Sequence, residues 1–135
     1  MLLTDWTADA DALLPETVAL RRAIHAEPEV GLHLPKTTAR IKAELAGLPL
    51  EFREGPSTTG LIAVLKGAAN GRTVLLRGDM DALPMTENTG LDYASTARGT
   101  GPDGNDVGVM HACGHDMHVT CLLGAAAELA ADPSW

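Results

Sequence analysis

Two short apolar runs in the middle of the chain set the tightest limit on its fold: "GLIAVLKG" at 60–67 and "RTVLLRGDM" at 72–80. Both are rich in branched residues, and "GAANG" between them has turn chemistry, so they read as neighbouring strands. Neither run alternates polar with apolar. A strand that is apolar on both sides belongs in a sheet covered on two faces. Material for those covers lies on either side in the sequence. "PETVALRRAIHA" sets Val18, Leu20 and Ile24 at helical spacing, with Pro15 suited to a first turn. "TTARIKAELAGL" does the same with Ile41, Leu45 and Leu48 and carries Gly47 near its end. "HVTCLLGAAAELAAD" reads as an Ala-rich helix, with Cys121 expected in its packed face. "LEFRE" alternates like a strand, the proline-broken "EPEVGLHLPK" reads as a loop, and 86–109 reads as irregular. The order helix, helix, three strands, long loop, helix gives an α/β layer arrangement. With four aromatic residues in 135, the core is expected to be aliphatic and Ala-rich.

The composition excludes several classes of function. A net charge of −8 leaves no clustered Lys and Arg for a phosphate backbone, so no nucleic acid partner is expected. No window approaches the ~20 apolar residues of a membrane span, and no membrane partner is expected. Two cysteines, Cys113 and Cys121, do not make a disulfide framework. The first 15 residues lack a signal-peptide pattern, so a cytoplasmic location is expected.

Chemistry concentrates in two stretches. In "RGDMDALP", Asp79 and Asp81 stand two apart at the end of an apolar run, where an extended chain aims both to one side. They read either as part of a metal site or as a turn capped by Asp. In "MHACGHDMH", Cys113, His115, Asp116 and His118 fall within six residues. Thiolate and imidazole suit zinc and related divalent ions, and Gly114 lets the backbone bend so that both face one ion. Asp116 is suited to accept from a ligand imidazole and orient it. The alternative is a small buried Cys113 beside histidines that line a helix start. His25 and His33 are given no metal role.

Together, "RRAIHAEPEVGL", "LLRGDMDALPMTE" and "MHACGHDMH" resemble the amino-terminal third of the M20 metallopeptidase family, in its amidohydrolase branch. That branch includes hippurate hydrolases and N-acyl-amino-acid amidohydrolases. The resemblance implies a three-layer, zinc-peptidase-like α/β domain with a mixed sheet, of which residues 1–135 form the amino-terminal part. It implies a hydrolase that uses two divalent ions (Zn, Mn, Co or Ni) to cut the amide of a small N-acyl amino acid. Cys113 and His115 are then metal ligands, and Asp81 is the catalytic carboxylate beside the metal. Asp79, Asp116 and His118 are candidates for the surrounding shell. In family members the Glu-Glu pair, two further histidines and an inserted dimerisation domain come later in the sequence, so these are expected to be missing here. The expectation is thus an enzyme segment, inactive alone, with a second copy of the chain as a candidate partner in a homo-oligomer. Two other readings stand beside it: a metal- or ligand-binding module without turnover, and an interaction protein that pairs through its sheet edge.

Overall fold

The computed structural model describes residues 5–132 and Ser134. Three helices carry the fold: α1 (Trp6–Ala26), α2 (Pro35–Glu44) and α3 (His115–Ala131). Between α2 and α3 lie four short strands, β1 (Leu50–Glu54), β2 (Leu61–Leu65), β3 (Arg98–Thr100) and β4 (Asp106–Gly108). The class is α/β, as the patterning requires.

Helix α1 begins well before the expected start at Pro15. Asp5 caps it, its carboxylate accepting from the Ala8 amide at 3.2 Å, which satisfies one of the orphan donors of the first turn. Pro15 therefore sits inside the helix. The carbonyl that its missing N–H would have served belongs to Asp11, at an exposed position where water can replace it. Helix α2 has Pro35 in its first turn, but its cap comes from outside the helix. The Glu29 carboxylate accepts from the Lys36 and Thr37 amides and from the Thr37 hydroxyl. The "EPEVG" loop is thereby fixed to α2. Its other side is fixed to the "DMDALP" segment, where the Ala82 amide donates to the Glu29 carbonyl at 2.7 Å.

The strands depart from expectation. β2 pairs antiparallel with β1, Leu50 opposite Leu65 and Glu54 opposite Leu61, rather than with the run at 72–80. That run makes no ladder among the described residues, and Val74 and Leu75 are 78% and 86% exposed. Strand character needs a partner's N–H and C=O as well as a pattern, and β1 takes the place beside β2 that was expected for the run at 72–80. The stretch 86–109, expected to be irregular, closes into a small hairpin with β3 antiparallel to β4. Parallel pairing between distant segments is confined, among the described residues, to a single bridge between Val30 and Ala82.

The core lies between the helices. Ile24 of α1, Ile41 and Leu45 at α2, and Val119 and Leu123 of α3 form one buried cluster, with Leu20, Leu50, Leu61 and Met80 packed against it. Burial of Val119, Thr120 and Leu123 sets the rotation of α3, which turns Cys121 outward. It is an exposed free thiol and not part of the core. No helix among the described residues is long and apolar enough to cross a membrane.

Candidate metal centre

α3 starts at His115 because of the residue before it. Gly114 holds the N-cap position at φ 76°, in the left-handed region that a side chain disfavours. His115 and His118 are one helical turn apart and so share a face of α3. Their rings lie 5.2 Å apart, tilted by 30°. The segment carrying Asp79 passes directly over this face. A Cβ on Gly78 would stand 3.0 Å from the His118 carbonyl oxygen, so only glycine allows this approach without a shift. The result is a three-residue group: one ligand atom each from Asp79, His115 and His118 lies within 4.8 Å of the others.

Asp81 sets the orientation of His115. The His115 Nδ1 lies 2.9 Å from both the Asp81 carboxylate Oδ1 and the Asp81 carbonyl oxygen. Nδ1 is therefore the protonated nitrogen, and Nε2 keeps its lone pair for an ion. A carboxylate holding one face of an imidazole so that the other can coordinate is the usual partner of a metal-binding histidine. Asp79 is a carboxylate already in use: Arg77 donates to its Oδ1 from Nε at 2.8 Å and from Nη2 at 2.5 Å. An ion here would compete with that guanidinium, itself largely exposed. Beside the group, a cleft of about 510 Å³ runs between this segment and α3, lined by Leu76, Asp79, His118, Cys121 and Leu122.

Cys113 lies two residues before His115, exposed and free of any disulfide. Asp116 faces away from His115. Its carboxylate is fully buried, 2.6 Å from His25 Nδ1 and 2.9 Å from Arg21 Nε. It does orient an imidazole, but that of His25. The other nitrogen of His25, Nε2, is 3.1 Å from Glu87 Oε1. Burial alone would raise the Glu87 carboxyl. The Thr89 hydroxyl, the Ser95 amide and His25 all donate to it and outweigh burial, holding it down at about 2 from an ordinary 4.5. His111 is also buried, neither ring nitrogen has a partner among the described residues, and burial lowers its pKa.

The sequence reading named Cys113 and His115 as ligands, Asp81 beside the metal, and Asp79, Asp116 and His118 around them; the structure sets Asp79, His115 and His118 together with Asp81 against His115, whereas Cys113 is not in that group and Asp116 turns to His25. It missed the second cluster of Arg21, His25 and Glu87. A signal was present: His25 and Glu87 lie in the blocks that carry the family resemblance, yet had no chemistry assigned to them.

Residues 75–133 match the sequence model described as peptidase family M20/M25/M40. The chain is 39% identical over 123 residues to the N-acetyldiaminopimelate deacetylase of Listeria innocua, covering 90% of this chain and 31% of that protein. It is 40% identical over 111 residues to the N-acetyl-L-cysteine deacetylase of Bacillus subtilis, covering 82% and 24% respectively. Among solved structures, it matches the Bacillus subtilis YXEP protein, described as a dinuclear metal-binding peptidase of the M20 family. The TM-score there is 0.79 at 34% identity, over 92% of this chain and 32% of that one. The chain thus spans a quarter to a third of the length of these proteins.

Proposed function

We propose that the chain, which matches peptidase family M20/M25/M40 over residues 75–133, is a member of that family and supplies the metal-binding part of an active site that hydrolyses the amide of small N-acyl amino acids. The two deacetylases that resemble it act on N-acetyl amino acids by name, and the acetyl class is the substrate class put forward here. Hippurate-like aromatic acyl groups are an alternative within the same reaction.

The observation that carries this reading is the Asp81–His115 hydrogen bond at 2.9 Å, which frees His115 Nε2 beside Asp79 and His118. The donor set fits a divalent ion: imidazole, carboxylate and, two residues away, an exposed cysteine. We assign Cys113 and His115 as ligands, with Asp81 holding the tautomer of His115. Asp79 and His118 are further donors, once Arg77 releases Asp79. Such an ion, when bound, lowers the pKa of a coordinated water toward about 7 and polarises the amide carbonyl. The chain's own part is to fix the donors: Gly114 sets the direction of α3, Asp81 sets the ring of His115, and Gly78 lets Asp79 approach.

Calorimetric titration of the chain with zinc and with manganese tests this, alongside hydrolysis of N-acetyl and N-benzoyl amino acids. His115→Ala and Cys113→Ala are expected to abolish tight binding. Asp81→Asn, which disturbs only the orienting group, is expected to weaken it about 10- to 100-fold. Binding unchanged in both the Cys113 and the His115 variants sinks the assignment.

A second reading has its own observation, the exposed apolar residues Val74 and Leu75 on a segment that has no ladder partner among the described residues. These fit an edge that pairs with another chain.

A further inference from the structure

A charged cluster lies behind the metal centre, away from the cleft, and none of the proposed chemistry uses it. His25 is 4% exposed, and each ring nitrogen faces a carboxylate oxygen: Asp116 Oδ2 at 2.6 Å and Glu87 Oε1 at 3.1 Å. A carboxylate oxygen thus stands within hydrogen-bond distance of both ring nitrogens, so the imidazole bridges Asp116 and Glu87. Arg21 brings a positive charge to 2.9 Å from Asp116 Oδ2. The groups facing His25 are accounted for on every side. Arg21 comes from its own helix, Asp116 from α3 and Glu87 from the loop after "DALP". Tyr93 meets the ring edge-on at 5.6 Å, and His111 lies 6.4 Å away, centroid to centroid.

The cluster touches the metal centre through one residue. Asp116 follows His115 directly and uses every acceptor it has within the fold. Oδ2 takes the His25 contact, Oδ1 accepts from the Met117 amide at 2.9 Å, and the Asp116 carbonyl accepts from the Thr120 hydroxyl at 2.7 Å. The first turn of α3, which bears both His115 and His118, is thus anchored through Asp116 to α1. Glu87 joins the same imidazole to the loop, accepting from the Ser95 amide at 2.6 Å.

We propose that His25 is a positioning residue for the metal centre: buried between Asp116 and Glu87, it locks the His115–His118 turn in the orientation that an ion requires. Its grip on Asp116, through Nδ1, is the contact that sets the turn. The Nε2 contact with Glu87 holds only the loop. This rests on the metal-binding reading above.

Two substitutions separate these contacts. His25→Asn puts an amide N–H2 near the place of Nδ1 and keeps the donor to Asp116. His25→Gln puts one near the place of Nε2 and keeps the donor to Glu87. Both remove the ring and both lower the melting temperature, so a purely structural role moves them together. The chain is titrated with cobalt(II), whose visible spectrum reports the coordination geometry, and amide hydrogen exchange is followed over 111–118 without metal. The expected result is cobalt affinity within about threefold of the parent for His25→Asn. For His25→Gln, at least a tenfold loss with an altered spectrum is expected, with faster exchange confined to 111–118. Equal cobalt affinity and equal exchange in the two variants overturns the proposal, as does parental behaviour in both. If the parent chain takes up no cobalt, the metal reading falls, and the exchange comparison alone decides whether His25 sets the turn.

Discussion

At the scale of single residues, the Glu87 carboxylate is held at about 2 by its donors, against an ordinary 4.5. A carboxyl whose folded pKa is depressed contributes stability that is complete above its unfolded value and is lost as pH falls through the folded one. For Glu87 that window runs from about 4.5 down to about 2. Glu87→Gln is expected to flatten the fall in melting temperature across this range, while leaving the pH 7 chain less stable than the parent. Calorimetric scans at half-unit intervals read both effects. An identical acid limb in the two proteins counts against the hydrogen-bonded geometry around Glu87. The residue types at the metal centre were legible because cysteine, histidine and aspartate crowded into nine positions have few structural uses. Arg21, His25 and Glu87 were not. Each is unremarkable among its own neighbours, and what gives them a role is contact across 62 and 91 positions of sequence.

At the scale of elements, α3 and α2 could be read from the chain because helical periodicity is local. The start of α1 could not, because a proline near a plausible first turn masks the Asp5 cap ten residues earlier. The run 72–80 shows the opposite failure: strong local strand chemistry without a ladder, because β1 takes the neighbour it was expected to have. The turn into α3 is where element geometry and the metal centre meet. Gly114 has open space around it, so only its φ of 76° demands glycine. Gly114→Ala is expected to destabilise the chain by about 1–2 kcal/mol, the cost of a side chain in the left-handed region. It is expected to reduce zinc affinity by more than that strain alone accounts for, because it re-aims His115. Urea unfolding with and without zinc separates the two contributions. Loss of stability with parental zinc affinity would mean that the ligand turn does not depend on this backbone geometry.

For the whole molecule, the exposed apolar stretch around Leu75 predicts association. Sedimentation velocity is expected to show an apparent mass that rises with concentration. Leu75→Lys should shift the distribution toward monomer without lowering the melting temperature, since the side chain is 86% exposed. A concentration-independent monomer in both proteins removes the edge-pairing reading. The His25–Asp116 contact has a different consequence, one of timing. It joins residues 91 apart, and loop-closure entropy must be overcome before such a contact can form. During synthesis α1 leaves the ribosome long before α3 exists, so the ligand turn is expected to be among the last parts of this chain to order. Ion capture by that turn would then mark the end of folding and not its beginning.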